Sequence, residues 1–255
     1  MNETIVYEQP LNERIRTFMR LEHLFSQAAY TLRGFSVWDS RATISSLLNI
    51  LETLSRGEIK SELIKELEHM ESYLTGLMGH QGVDESQLSS VLEQVSNSLQ
   101  NIHHYDGTFG QTLRDNELLA SIRQRASIIG GDCRFDLPLY HFWLKQNADR
   151  RIATLESWFD QLQVVNLPVT LILNMLRESA TPSAAVAESG FFQQTLDSEQ
   201  SVKLIRVTVT NGMPYYAEIS GGKHRFTIRF LEPRDSGRPM QTQDDVNFDL
   251  SYCFL

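Results

Sequence analysis

The chain has 255 residues, of which 41% are hydrophobic and 22% are charged, and this balance excludes a disordered or collagen-like chain. Because 23 Lys and Arg residues stand against 32 Asp and Glu residues, the formal net charge is -9, which argues against a protein that binds nucleic-acid phosphates through basic charge. Two cysteines, Cys133 and Cys253, are too few for a disulfide scaffold, so a reducing, cytoplasmic compartment is expected.

Neither export nor membrane insertion is expected from the sequence. The first residues carry acids and a proline where a secretory signal needs a basic start and an apolar run. The longest uncharged apolar stretch, residues 161–176, contains Asn166 and Pro168 and is shorter than the roughly 18 residues of a membrane span. This stretch therefore predicts a buried helix.

Helical periodicity dominates the first two thirds of the chain. A short alternating segment, residues 4–7, predicts a strand that ends at Pro10, and Asn12 is a suitable N-cap for the helix that follows. Asp84 is a second predicted N-cap, and Pro138 suits the first turn of a later helix. The predicted helices with their caps cover residues 12–32, 42–55, 58–77, 84–100, 114–128, 138–145 and 149–178, the last as one or two helices.

After a linker of small and polar residues at 181–183, the hydrophobic pattern changes to a period of two, which is typical of strands. Asn211-Gly212 and Ser220-Gly221-Gly222 are turn sequences between the alternating segments. The predicted strands cover residues 202–210, 215–219, 223–231 and 246–254. They form an antiparallel sheet, and we predict that the N-terminal strand pairs into it because it has no local partner.

These patterns predict an α+β fold, in which an N-terminal all-helical domain is followed by a small antiparallel β-domain that also takes up the N-terminal strand. The expected boundaries are residues 1–10 for the strand that joins the β-domain, residues 11–181 for the helical domain and residues 182–255 for the C-terminal β-domain.

Motifs of known catalytic sites are absent, since the sequence contains no Walker-type phosphate loop, dinucleotide fingerprint, nucleophile elbow or His-Glu-x-x-His pair. His103 and His104 are adjacent and would diverge by about 100° on a helix, so we predict no metal site and no cofactor. Cys133 with His141 is the remaining enzymatic hypothesis, as nucleophile and base of a cytoplasmic hydrolase. The alternative for Cys133 is a buried, inert thiol.

Two rows of basic residues stand out on this acidic chain. Alternation in the third strand of the β-domain places Lys223, Arg225 and Arg229 on one face and Phe226, Ile228 and Phe230 on the core face. On the first helix, Arg16 and Arg20 are four residues apart and therefore neighbours. Either acids from other segments neutralise these cations, or the rows receive an acidic peptide. A nucleic-acid adaptor that uses the strand is a weaker hypothesis, which the net charge opposes.

An ordered set of short motifs, collinear from residue 5 to about residue 253, resembles the ZapD family of Z-ring-associated cell division proteins. The motifs are Val6-Tyr7-Glu8, Pro10 to Thr17, Arg20-Leu21-Glu22, Arg56-Gly57-Glu58, Glu62-Leu63, Lys65-Glu66-Leu67, Ile122 to Arg125, Gly130-Gly131, Phe135 to Pro138, His141, Trp143-Leu144, Ile219-Ser220-Gly221, Lys223, Arg225-Phe226 and Ile228-Arg229-Phe230.

The resemblance implies a non-enzymatic, cytoplasmic protein of the mid-cell division ring. Members of the family are symmetric dimers with a helical domain and a C-terminal β-domain. They bind the C-terminal tail of the tubulin-like protein FtsZ and cross-link its protofilaments into bundles, which stabilises the ring. The expected partners are therefore FtsZ and a second copy of the chain, without nucleic acid.

The resemblance also suggests roles for individual residues. Arg16 and Arg20 match the family's basic first helix, and Arg225 matches its Ser-Gly-x-Lys-x-Arg-Phe run, with Lys223 and Arg229 beside it. These five residues are the expected contacts to acidic groups on FtsZ. Arg20 and His141 are alternatively expected near the dimer interface. At Glu117 the chain departs from the family, because positive charge is expected there.

Overall fold

A computed structural model describes residues 4–55, 58–80, 82–197, 201–222 and 224–254, and these residues form nine helices and eight strands. The helices are α1 (Glu13–Leu32), α2 (Val37–Leu54), α3 (Ile59–Gly76), α4 (Glu85–His104), α5 (Gln111–Arg114), α6 (Glu117–Arg125), α7 (Pro138–Leu144), α8 (Ala148–Asp160) and α9 (Gln163–Glu178). The strands are β1 (Thr4–Pro10), β2 (Ser183–Ala187), β3 (Phe191–Thr195), β4 (Leu204–Thr210), β5 (Tyr216–Gly221), β6 (Arg225–Glu232), β7 (Met240–Gln241) and β8 (Val246–Cys253). The predicted α+β fold is confirmed.

Local capping determines several helix ends. The predicted N-cap Asn12 accepts a hydrogen bond from the backbone N–H of Ile15 at 2.8 Å. Helix α2 begins earlier than the sequence predicted because Ser36 and Asp39 form a reciprocal capping box. The helix predicted over residues 114–128 is present as the shorter α6, which begins after Asn116 because the side chain of Asn116 caps the N–H of Leu119, and the short helix α5 precedes it.

The strands form two antiparallel sheets, so the prediction of one antiparallel sheet is wrong. Sheet A has the order β1-β4-β8-β2, and sheet B has the order β3-β6-β5, with β7 paired to the end of β6. Strand β1 pairs along its length with β4, from Thr4 opposite Thr210 to Pro10 opposite Leu204. The predicted pairing of the N-terminal strand into the C-terminal β-structure is confirmed.

Two strands follow the predicted linker and were missed by the sequence prediction. Strand β2 pairs with β8 in sheet A, and β3 pairs with β6 in sheet B, so the short turn between them passes from one sheet to the other. At this turn Ser189 and Gly190 both have positive φ angles, 47° and 72°. The alternation in this segment is weak because β2 consists of Ser, Ala and Val and β3 carries Phe at two successive positions. Pairing with β8 and β6 supplies the hydrogen bonds that make them strands.

The chain is divided into two compact units, of which one joins the N-terminal residues through Arg16 to the residues from Leu173 onward, and the other is Thr17–Ile172. In the first unit, both sheets contribute side chains to one buried core. Phe226, Ile228 and Phe230 of sheet B are fully buried, together with Ile205 and Val207 of sheet A. The predicted core face of β6 is therefore confirmed.

The second unit has an aromatic and aliphatic helical core. Trp143 stacks on Trp158 with ring centroids 6.1 Å apart, and Phe25 meets Phe159 edge-on at 6.0 Å. The buried guanidinium of Arg151 donates hydrogen bonds to the Ser40 hydroxyl and to two backbone carbonyls, which satisfies it without a carboxylate. Within the described ranges, no helix is both long and apolar enough to cross a membrane.

Candidate functional site

The outward face of sheet B carries two of the predicted site residues, Arg225 and Arg229 of β6, while Lys223 lies outside the described residues. Because strand side chains alternate, the inward row of Phe226, Ile228 and Phe230 places Arg225, Thr227 and Arg229 on the opposite face. The strand register places Glu218 of β5 beside Arg229 and Thr195 of β3 beside Arg225. Thr227 lies between Gln193 of β3 and Ser220 of β5. We call this set of side chains the outer face of sheet B.

Arg229 is paired with an acid of the same sheet. Its guanidinium lies 2.5 Å from a carboxylate oxygen of Glu218, directly across the strand pair. The two side chains are 51% and 47% exposed, so the pair is accessible to solvent. The hypothesis that acids neutralise the basic row therefore holds for Arg229 in the described sheet.

Arg225 is different, because it is exposed and forms no ion pair with any residue that the structure describes. It borders a cavity of about 450 Å³ whose other polar walls are formed by Gln193, Ser220, His224 and Thr227. A guanidinium beside hydroxyl and amide groups offers several donors to a carboxylate. The arrangement fits an anionic ligand.

Gly221 allows this part of the face to form. It lies opposite Phe226 in the ladder, and a Cβ at position 221 would lie 2.8 Å from the Phe226 Cβ and 3.0 Å from a methyl carbon of Leu11. Such distances are too short for carbon atoms, so a glycine is required at this position. Gly222, the next residue, has open space around its would-be Cβ.

The basic residues of α1 also differ in their pairing. Arg16 forms an ion pair with Glu13 of the same helix, three residues earlier. Arg20, one turn further, is exposed and has no ion-pair partner among the described residues. Arg16 belongs to the unit that contains the sheets and Arg20 to the helical unit.

Cys133 and His141, the hypothetical catalytic pair, are not joined by any contact that the structure describes. The Cys133 thiol donates a hydrogen bond to Asp136 at 3.1 Å, and the other carboxylate oxygen of Asp136 pairs with Arg125 at 2.6 Å. His141 is half-buried on α7. A nucleophilic thiol needs a basic or cationic neighbour, whereas the described neighbour of this thiol is a carboxylate.

Glu117, the departure from the expected positive charge, lies in the first turn of α6, where a negative charge is favoured by the helix dipole. For metals, no three His, Cys, Asp or Glu side chains gather into a candidate site in the described parts of the chain.

Glu218 is a residue of this face that was not among the predicted site residues. The alternation of β5 places its carboxylate on the same face as Ser220, and this signal was present in the sequence. Its alignment with Arg229 depends on the β5–β6 register, which requires both strand ends to be known.

Comparisons with known proteins give one consistent result. A family model described as ZapD, cell division protein, matches residues 19–229. "Cell division protein ZapD" of Methylococcus capsulatus is 46% identical over 255 residues and covers 100% of both chains. The proteins of the same name from Nitrosomonas eutropha and Chromobacterium violaceum are 37% and 36% identical, over 98% of this chain and 100% and 99% of theirs.

Proposed function

Because the chain belongs to the ZapD family of cell division proteins, we propose that it acts in division by binding the C-terminal tail of FtsZ and, as a homodimer, cross-linking FtsZ protofilaments into bundles. The observation that supports the binding step is Arg225, an exposed arginine without a described ion-pair partner beside a polar cavity on a chain of net charge -9. A local cationic site can attract a flexible acidic peptide even on a molecule whose net charge is negative, because the attraction depends on the charge near the contact.

In this proposal Arg225 is the first contact for a carboxylate of the tail. Its guanidinium can hold a carboxylate through two parallel hydrogen bonds, which is the strongest geometry for such a pair. Lys223, which lies outside the described residues, and Arg20 are proposed to add positive charge, whereas Arg229 and Arg16 can contact the tail only when it displaces Glu218 and Glu13. Each exposed contact contributes roughly 0.2–1 kcal/mol, so binding depends on several contacts at once.

Dimerisation converts tail binding into cross-linking. A twofold dimer presents two identical binding faces, so one dimer can engage tails from two filaments. Many tails project from each filament, and this multivalency raises the apparent affinity without any new contact. We place Arg20 and His141 near the dimer interface as the alternative role for these two residues.

The proposal includes a non-enzymatic role in the cytoplasm at the mid-cell division ring, without cofactor, nucleic acid or membrane insertion. The contact of Cys133 with Asp136 gives no support to the hydrolase alternative. A Cys133→Ser variant should therefore bundle FtsZ as well as the unsubstituted chain does. Loss of bundling in a folded Cys133→Ser variant would contradict this part of the proposal.

Co-sedimentation with polymerised FtsZ tests the proposed function. We expect the chain to pellet with full-length FtsZ and to increase its light scattering, and we expect both effects to disappear with FtsZ that lacks its C-terminal tail. Equal pelleting with the tailless protein would contradict tail binding. Charge reversal by Arg225→Glu should reduce pelleting, whereas Arg234→Glu, at an exposed arginine in the loop after β6, is the matched control.

A strictly monomeric chain that still pellets with FtsZ would contradict the cross-linking step alone. Analytical ultracentrifugation of the chain, free and with an excess of tail peptide, measures the number of copies and the number of tails bound. We expect two copies and two tails in each complex.

A further inference from the structure

We propose that the outer face of sheet B reads carboxylates spaced four residues apart in an extended acidic peptide, and that Glu218 competes with the peptide for Arg229. This inference rests on the proposed function for the identity of the natural partner, and it adds a spacing rule and a residue that limits affinity. It follows from the relative positions of two arginines and one carboxylate.

The positions of Arg225 and Arg229 on β6 determine the spacing of the two carboxylates that the face could bind. Arg225 and Arg229 are four residues apart on β6. They point to the same side of the sheet because successive side chains of a strand point to opposite sides, and an even number of residues separates their positions. At 3.2–3.4 Å per residue, their Cα atoms are about 13 Å apart along the strand. An extended peptide has the same repeat, so its side chains at positions i and i+4 share one face and the same spacing.

The surface between the arginines is polar and uncharged. Thr227 lies midway along β6, and Gln193 and Ser220 lie on either side of it in the ladder. The Thr227 hydroxyl donates to the backbone carbonyl of Ser220 at 3.4 Å, so this part of the face adds hydrogen-bonding groups and no like-charge repulsion. A carboxylate at position i+2 of the peptide would meet these neutral groups and not a guanidinium.

Glu218 occupies the position beside Arg229 that the second carboxylate of the peptide would take. Its oxygen contacts Arg229 at 2.5 Å, as a carboxylate of a ligand would, and the pair is about half exposed. Exposed pairs of this kind are weak, so a ligand can displace Glu218, but the displaced carboxylate still repels an acidic peptide. Glu218 therefore lowers affinity for peptides with two carboxylates and leaves binding at Arg225 less affected.

Fluorescence anisotropy at low salt tests this inference with three labelled Ser/Thr peptides. One carries a single Asp, one carries two Asp residues at i and i+4, and one carries two Asp residues at i and i+2. For the unsubstituted chain we expect the i, i+4 peptide to bind most tightly. Glu218→Gln should tighten binding of that peptide about two- to fivefold, with a smaller change for the other two.

Two further variants separate local from general charge effects. Glu188→Gln removes the same charge from an exposed glutamate in the turn between β2 and β3, and it should not change the preference for i, i+4 spacing. In an Arg229→Gln background, the preference for i, i+4 spacing should disappear, and any remaining gain from Glu218→Gln should be similar for the three peptides, because the guanidinium for which Glu218 competes is gone and only its general repulsion remains. Circular dichroism confirms that each variant is folded.

The outcomes distinguish the inference from the proposed function. An equal gain on all three peptides, the same gain with Glu188→Gln, or no spacing preference in the unsubstituted chain would overturn the inference. FtsZ pelleting that requires its tail, combined with no spacing preference, would contradict only the inference. The expected peptide results without FtsZ pelleting would contradict only the proposed function.

Discussion

The carboxylate of Glu8 on β1 accepts two hydrogen bonds from the guanidinium of Arg177 at the end of α9, from Nε to Oε1 at 3.0 Å and from Nη2 to Oε2 at 2.9 Å. Arg206 of β4 donates to the same carboxylate at 3.0 Å. The three side chains are between 16% and 27% exposed, so solvent screens the pairs only in part. One glutamate therefore joins the N-terminal strand to two segments that follow it by more than 160 residues.

Substitution Glu8→Gln should lower the free energy of unfolding by about 2 kcal/mol, because it removes the charge that two partly buried guanidinium groups share. Urea denaturation measures the change. Glu188→Gln, at an exposed glutamate without a described ion pair, is the control and should change stability by less than about 0.5 kcal/mol. Equal stability of the two variants would show that the network around Glu8 does not stabilise the fold.

Gly221→Ala should destabilise the protein by about 1–3 kcal/mol, because the added Cβ would lie 2.8 Å from that of Phe226 and force the sheet to shift. Gly222→Ala is the matched control, since its Cβ would meet open space. Thermal denaturation of the two variants measures the difference. Similar melting temperatures would mean that the backbone at position 221 adjusts without cost.

Stability should fall at alkaline pH because of Cys253. Burial raises the pKa of its thiol to about 11, from an ordinary value of 9.0. Between pH 9 and pH 11 the unfolded chain loses the thiol proton, whereas the folded chain keeps it. The free energy of unfolding is therefore highest below pH 9 and falls by about 1 kcal/mol for each pH unit in this range. Tyr140, Tyr215 and Tyr252, whose pKa values burial also raises from 10.0, add to this loss as pH approaches and passes 10, so a variant without the thiol is needed to isolate the share of the cysteine.

Urea denaturation at pH 8, 9 and 10 checks this dependence. A Cys253→Val variant keeps an apolar side chain of similar size at this buried strand position and has no proton to lose. Its stability should change less over the same range. Parallel curves for the two proteins would show that other groups cause the alkaline loss.

Binding of acidic peptides should depend on Arg225 and on salt. Arg225→Glu should weaken binding of the tail peptide about five- to tenfold at low salt, because an attractive contact becomes a repulsive one. Raising the ionic strength from about 0.05 to 0.3 M should weaken binding to the unsubstituted chain and reduce the difference from the variant, since exposed charges are screened. Anisotropy titrations measure both effects, with Arg234→Glu as the control. Binding that does not respond to salt would indicate an apolar contact in place of the proposed ionic one.

Local patterns in the sequence determined the type and orientation of many elements. Alternation in β4 and β6 identified both strands and the face that each buries, because the period of two is a property of the extended backbone itself. Asn12 and Asp84 indicated helix starts correctly, since a cap bonds N–H groups only two or three residues away. Asn116 has the same type of side chain and caps α6, but the helix start was predicted about two residues earlier and the short α5 was missed.

The tertiary structure decided which distant groups meet. The sequence predicted that β1 joins the β-structure, but only its register with β4 brings Glu8 opposite Arg206. In the same way, the β5–β6 register pairs Arg229 with Glu218 and leaves Arg225 without a described partner. Periodicity specifies the direction in which a side chain points, whereas its partner depends on pairing between segments far apart in the chain. The two arginines have the same local pattern, and their different electrostatic environments arise only from the folded arrangement.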